Sequence, residues 1–476
     1  MKALDEKQKE VVALLGIGTF LEYFDLMIYV HMAVLLNGLF YEPRDAHATA
    51  ILSALTFSIT FVFRPIGALI WGQIGDTLGR KAVLVLTTIL MALSCLVMAV
   101  LPTFAQIGFT ATIIMTLCRI TQSISSTGEV TSSELYLMEM TKPPIQYPVL
   151  GVVPLFAALG GTAALMAASI VTLEEGKWRY IFWFGTTIAI IGSFARFKLK
   201  ETPQFATTKA RISKVAEDYN LTRIQVQKLL EVKEEKVNMK TVFALGIIQC
   251  IFPIYYYFAY IHCGNLYKVL FSYSAVDIIH QNLILSLVDL VRIIFLSWIS
   301  YYVNPLKILK IQLVISVVFI MSCPFLLNSV STPIHLAMIQ WGIMIFSIHG
   351  LPAAPIFYKH IPILKRFQYT GLAYALGRAV MFAITTYSLV WLIEWYGNIG
   401  LLIIVIPSLT AYSFSLFYFD RLEQEWINVD GDELERKKAE ARSTFLESEW
   451  PKMTNYNYEE ETSKVRKKKS NRKKSK

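Results

Sequence analysis

Apolar residues in this chain come in long blocks separated by short polar joints, and the blocks are close to the length of a bilayer crossing, about 20 mostly apolar residues for some 30 Å of hydrocarbon. On that measure the sequence predicts spans at 11–36, 50–72, 82–101, 107–138, 148–172 and 178–197, and, after a charged stretch, at 241–262, 278–300, 309–328, 334–358, 369–393 and 398–419. Basic residues supply a check, because Lys and Arg gather in cytoplasmic loops. Lys2, Lys7 and Lys9 precede the first span, Arg80 and Lys81 follow the second, and Lys142 follows the fourth. Lys307, Lys310, Lys359, Lys365 and Arg366 fall on the same side, as does the joint from Phe197 to Lys240, while the joints at 102–106, 329–333 and 394–397 carry no basic residue. Both termini are then expected in the cytoplasm, which requires an even number of spans and agrees with twelve.

Composition excludes a soluble protein. Of 476 residues, 55% are hydrophobic and 17% charged, and mean hydropathy is +0.48, where a soluble chain is about a quarter charged. The net charge of +10 reads as membrane topology, with no nucleic-acid partner expected. Cys95, Cys118, Cys250, Cys263 and Cys323 are scattered without paired spacing, and read as small core residues rather than a disulfide framework or metal site. Met1 to Glu10 is charged and no small-residue cleavage site follows, so the first span reads as retained rather than as a signal peptide. The expected organisation is a six-helix half over 1–197, a cytoplasmic linker over 198–240, a second six-helix half over 241–419, and a tail over 420–476. Lys464 to Lys476 is almost wholly basic. A solvated cytoplasmic end is its plainest reading, with attraction to anionic lipid, worth about 1 kcal/mol per nearby basic residue, as the next. The high Ile, Lys and Tyr content is compatible with an AT-rich bacterial genome.

The joint after the second span reads Gly72-Gln73-Ile74-Gly75-Asp76-Thr77-Leu78-Gly79-Arg80-Lys81. Glycines let helices approach and the chain turn, Asp76 is expected to cap the next helix and to pair with Arg80, and Arg80 with Lys81 anchors the joint in the cytoplasm. Between two apolar spans this resembles the loop signature of the major facilitator superfamily, with Thr77 where a basic residue is usual. Gly18 to Asp25 with Tyr29, Arg64-Pro65-Ile66-Gly67, Arg119, Gln122, Gly128-Glu129, Tyr136 to Glu139, Trp178-Arg179 and Glu201-Thr202-Pro203 with Phe205 narrow the resemblance to its metabolite:proton symporter family, whose members include proline/betaine and 2-oxoglutarate transporters. The second half echoes it at Arg366-Phe367 and Thr370-Gly371. It departs around Ser300 to Lys310, which lack the Asp and Gly-Arg elements, and the joint Lys142 to Tyr147 has two prolines where an Arg-Gly pair is usual. The resemblance implies an all-α integral membrane fold of two six-helix halves, a gating loop formed by Gly72, Gly75, Asp76, Gly79, Arg80 and Lys81, and a monomer in the inner membrane.

A charge at mid-bilayer costs roughly 2.5–3.5 kcal/mol on insertion scales, so each needs a partner or a wet cavity. Glu22, Asp25, Arg64, Arg119, Glu129, Glu134, Asp289, Arg292 and Arg378 fall within the spans. Asp289 and Arg292 lie three apart on one helix face and suit a local pair. Glu22 and Asp25 are also three apart; two close carboxylates do not both ionise cheaply, so one of them can carry a proton. They lead the proton-coupling candidates, followed by Glu129 and Glu134. Arg64 and Arg119 have the fork geometry that holds a carboxylate. Tyr23 and Tyr29 in the first span, and Tyr255, Tyr256, Tyr257 and Tyr260 in the seventh, could form a cation–π surface or simply pack. Tyr23, Tyr29, Arg64, Arg119, Tyr256, Asp289, Arg292 and Arg378 are the substrate-binding candidates.

The leading function is a proton-coupled symporter of a small zwitterionic osmolyte or amino acid. The alternatives are coupled or exchange transport of a carboxylate such as 2-oxoglutarate, and a transporter-like sensor that binds without transporting. No metal, nucleotide or redox cofactor is expected, since the chain has no Gly-x-x-x-x-Gly-Lys-[Ser/Thr] phosphate loop. An enzyme is not expected either.

Overall fold

A computed structural model of the chain describes residues 4–41, 61–171, 178–197, 199–202, 206–207, 210, 213 and 237–428. Among these residues all regular structure is helical. The helices of the first half are α1 (Glu6–His31), α2 (Ala33–Phe40), α3 (Arg64–Thr77), α4 (Arg80–Val100), α5 (Phe109–Met140), α6 (Val152–Val171) and α7 (Trp178–Phe197). Those of the second are α8 (Met239–Tyr256), α9 (Ala275–Ile299), α10 (Pro305–Asn328), α11 (Pro333–Ile345), α12 (Ile363–Tyr396) and α13 (Gly400–Asn428). Most of the second expected span, the charged linker and the basic tail lie outside the described residues.

Each boundary has a local cause. The α1 helix starts ahead of the apolar run because Asp5 and Gln8 form a capping box, with the Gln8 N–H donating to Asp5 Oδ1 at 2.6 Å and the Asp5 N–H to Gln8 Oε1 at 3.1 Å. In α8, Pro253 removes a backbone donor inside the helix. A π-helical turn follows over Tyr257–His262 before helix resumes at Cys263–Phe271. The tenth span, expected as one helix over 334–358, is two pieces. The first ends at Ile345 and helix returns only at Ala354–Lys359; Gly350 and Pro352, in the gap, are the residues least suited to continue it.

Seven helical segments among the described residues are long and apolar enough to cross a membrane. Helices α5, α7 and α12, of 32, 20 and 34 residues, stand at further expected spans. Large apolar side chains such as Phe243, Val291, Val314, Phe325 and Phe414 face outward, as a hydrocarbon solvent allows. Within the bundle α1 runs along α6, and α4 along α5 and α7. Small residues on the inner side of α5 (Ser125, Ser126, Gly128, Ser132 and Ser133) are all buried, which lets neighbouring backbones come close. The halves meet where α3 packs on α12 and α6 on α9. Residues 1–209 and 234–419 form one compact unit; residues 210–233 and 420–476 form a second, of which the end of α13 is described. The five cysteines are free, four of them buried.

Candidate functional site

Both halves contribute to a central cavity of about 170 Å³, with Tyr23, Arg64 and Glu134 on one side and Tyr256, Asp289, Arg292, His349, Tyr374 and Arg378 on the other. Aromatic rings make much of its wall. Tyr256 stacks on Tyr260 at 4.8 Å between centroids, Phe61 stacks on Phe382 at 3.9 Å, and Tyr256 stands edge-on to Phe382. The seventh-span tyrosines divide here. Tyr256 and Tyr260 reach the cavity, while Tyr255 turns away to hydrogen-bond Ser316.

The cavity's cations are held in different ways. The Arg64 guanidinium lies 5.0 Å from the Phe61 ring. That of Arg378 is 4.3 Å from both the Phe252 and Tyr374 rings and donates to the Tyr374 hydroxyl at 3.0 Å. Arg292 donates to Asp289 through Nε at 2.9 Å and Nη2 at 2.5 Å, the one-helix-face pair the sequence suggests. Its Nη2 also lies 3.0 Å from His349 Nε2. A guanidinium only donates, so that ring nitrogen accepts. On the opposite wall Glu134 accepts from the Tyr358 hydroxyl at 2.7 Å.

Glu22, Asp25 and Glu129 do not line this cavity. They surround a smaller one inside the first half, together with Gly18, Thr88 and Gly192. Arg196, near the end of α7, forms an ion pair with Glu129 and donates to Thr88. Three buried carboxylates therefore share this pocket with one directly paired arginine. Among the described residues Glu22 has Ser126, Glu129, Arg64 and Arg196 as its neighbours. Arg119 and Tyr29 are elsewhere again. Arg119 sits 4.2 Å from the Tyr29 ring and donates to Gln122 at 2.9 Å, while Tyr29 donates to Asn37 at 3.0 Å. Of the two arginines matched in sequence to a substrate carboxylate, only Arg64 reaches the central cavity.

The glycine-rich joint closes one end of the bundle. Gly72 and Gly75 bring α3 against the first turns of α12, close to the Gln368 backbone and the Phe367 ring. Arg80, fully buried, donates to the Gly75 carbonyl at 2.8 Å, Glu139 at 3.1 Å and the Ile363 carbonyl at 3.2 Å, and more loosely to Asp76 at 3.4 Å. Asp76 accepts from the backbone N–H groups of Phe367 and Gln368 at 3.2 and 3.0 Å. Ile363 C=O and Phe367 N–H are the groups a helix would itself join, and this side-chain pair serves both. Asp76 does not cap the following helix. Gly79, at φ 113°, is the N-cap of α4, and the Arg80 and Lys81 N–H groups donate to Glu201 at 3.1 and 3.3 Å. The Lys81 ammonium donates to the Phe197 carbonyl at 3.0 Å. Burial pushes the Asp76 carboxyl up to about 7, against the pull of Arg80 and the two N–H donors.

Two residues of these sites went unnoticed in the sequence. Arg196 stands at the end of an apolar span, one residue before the basic joint, where nothing local sets it apart. Tyr374 lies four residues before Arg378, so helical spacing could have found it.

A family model described as the Major Facilitator Superfamily matches residues 15–386. The proline/betaine transporter of Salmonella typhimurium is 31% identical over 209 residues, which is 42% of this chain and 42% of that protein; the match thus spans under half the length of that relative. The inner membrane metabolite transport protein YhjE of Escherichia coli is 27% identical over 439 residues, 88% of this chain and 96% of the other. Among solved structures, the proton:xylose symporter XylE bound to 6-bromo-6-deoxy-D-glucose superposes with a TM-score of 0.69 at 12% identity, over 87% of this chain and 95% of that one. The human organic anion transporter MFSD10 does so with a TM-score of 0.59 at 16% identity, over 87% and 99%. At such identities the likeness is one of fold.

Proposed function

The chain belongs to the major facilitator superfamily, and from that premise we propose that it is a proton-coupled symporter of a small zwitterion of the proline or betaine type. The observation that carries this reading is the central cavity: it is lined by both halves, is of a size for a small solute, and offers cations, carboxylates and aromatic faces together. In this reading twelve spans cross the inner membrane with both termini in the cytoplasm. The two six-helix halves, 1–197 and 241–419, rock about the cavity and expose it to each side in turn. The joint at Gly72 to Lys81 holds the cytoplasmic end shut. Glu22, Asp25 and Glu129, grouped around the smaller cavity and apart from the substrate, carry the proton whose arrival biases that movement. Glu134 is the candidate that would sense substrate and proton in one place. The chain acts on the solute's location and not on its bonds, so it is no enzyme.

A second reading, a carboxylate transporter, is favoured by the three arginines on the cavity wall. Uptake of radiolabelled proline, glycine betaine and 2-oxoglutarate into proteoliposomes, with and without an inward proton gradient, separates the two. Accumulation of proline or betaine that depends on the gradient supports the first reading. Accumulation of 2-oxoglutarate alone supports the second, and binding with no flux of any of them would sink both.

A further inference from the structure

Buried N–H groups outnumber their acceptors on the second-half wall of the central cavity. Arg378 makes one hydrogen bond, to Tyr374. Among the described residues its Nε is buried without a partner, and no carboxylate forms an ion pair with it. Arg292, 6% exposed, commits Nε and Nη2 to Asp289 and His349, but its Nη1 is buried with no acceptor. His349 stands in the non-helical gap after α11, close to both guanidiniums. Among the described lining residues the charges are Arg64, Arg292 and Arg378 against Glu134 and Asp289. Asp289 answers Arg292, while Glu134 accepts from Tyr358 and acts on Arg378 only through space, without a direct hydrogen bond.

Unmet buried donors destabilise a protein that gains nothing from them. A ligand that brings the acceptor removes that cost. We propose that Arg378 and Arg292, with His349 beside them, form a subsite for a carboxylate, and that the Tyr256–Tyr260 stack receives the rest of the solute. The planar N–H fork of arginine matches the two oxygens of a carboxylate. The excess of positive charge on the lining favours an anionic group over a cationic one at this wall. This rests on the central cavity being the transport site and adds the functional group it recognises. The sequence offers Arg64 and Arg119 for this role; Arg119 lies outside the cavity, and the proposal places the carboxylate on the second half of the chain.

The test is thermal stabilisation of the purified full chain in detergent by three acids, each set against a partner without a free carboxylate: proline against pyrrolidine, glycine betaine against choline, and 2-oxoglutarate against its dimethyl ester. At least one acid should raise the melting temperature while its partner does not. Arg378→Gln should weaken the apparent affinity for that acid by about tenfold or more, and Arg378→Lys by less. The melting temperature of each variant without ligand verifies that it folds. Equal stabilisation by acid and partner, undiminished affinity in a folded Arg378→Gln protein, or no stabilisation by any acid overturns the proposal. Acid binding without gradient-driven uptake would instead remove the symporter and leave the subsite standing.

Discussion

Replacing Gly72 by alanine adds one methyl group where α3 meets α12. The new Cβ would stand 2.7 Å from the Gln368 Cα and 3.0 Å from its Cβ, well inside contact distance and against atoms that no rotamer change can remove. The helices must part, and overpacking of this kind costs about 1–3 kcal/mol. Only the conformation in which the two helices touch bears that cost, so the ratio of closed to open forms should fall by about 5- to 150-fold. The readout is a cysteine at Thr370, a residue 2% exposed and one turn further along α12 from Phe367, in a background from which the five native cysteines have been replaced. Its modification by a water-soluble maleimide should be faster in the Gly72→Ala protein. Gly75→Ala should have a smaller effect, because its Cβ meets the Phe367 ring at 2.6 Å and a ring can turn. Gly38→Ala, where nothing lies within 4 Å of the added atom, serves as the reference. A Gly72→Ala rate no higher than that of Gly38→Ala would refute the claim that this contact keeps the end closed.

Three further outcomes follow from the geometry. Arg196→Gln strips Glu129 of its cation, and breaking a buried pair costs about 3–5 kcal/mol; the double variant with Glu129→Gln should recover most of the lost melting temperature, and failure to recover would argue that the pair is incidental. Asp25→Asn should abolish uphill accumulation in proteoliposomes while sparing equilibrium binding, and normal accumulation would remove Asp25 from the coupling mechanism. Asp76 supplies a pH dependence. Its carboxyl is raised from 3.8 to about 7 in the folded protein, so its contribution to stability is present at low pH and is lost as pH rises through about 7, with a slope of at most about 1.4 kcal/mol per pH unit. Relative to Asp76→Asn, the wild type should lose melting temperature between about pH 4 and pH 7; a difference between the two proteins that stays flat with pH would contradict the assignment.

What the sequence made legible was whatever is local. Apolar block length located the helices, and spacing of three along one helix found the Asp289–Arg292 pair, because both depend only on neighbours in the chain. Asp76 was tied to Arg80 and to a cap by the same local logic, and there the logic was incomplete. Its two backbone partners lie nearly three hundred residues away, and Glu201 takes the capping role. Arg119 and Arg64 look alike as single arginines in apolar spans. Only the rotation of each helix in the bundle decides that one faces the cavity and the other faces Tyr29. The break in the tenth span was hidden for a different reason: its gap residues are apolar enough to pass as membrane-crossing, and Gly350 with Pro352 is a weak signal inside such a run.

Whole helices and interrupted ones meet at the cavity, and they carry different groups. In the first half, the helices that carry Tyr23 and Glu134 run unbroken past the cavity, α5 for 32 residues. In the second, Tyr256 and Tyr260 flank the onset of a π turn just after Pro253, and His349 hangs from a stretch with no helix at all. A rod resists bending, whereas a helix with a defect can be repacked at that point with little loss of backbone hydrogen bonding. Each wall of the solute site therefore pairs rigid helices with a jointed stretch: in the first half a turn at Phe63 separates Phe61 from Arg64, while in the second α9 and α12, which carry Arg292 and Arg378, are unbroken. Tyr256, Tyr260 and His349 can shift against the bundle without dragging a whole span with them, whereas Arg292 and Arg378 move only with their helices.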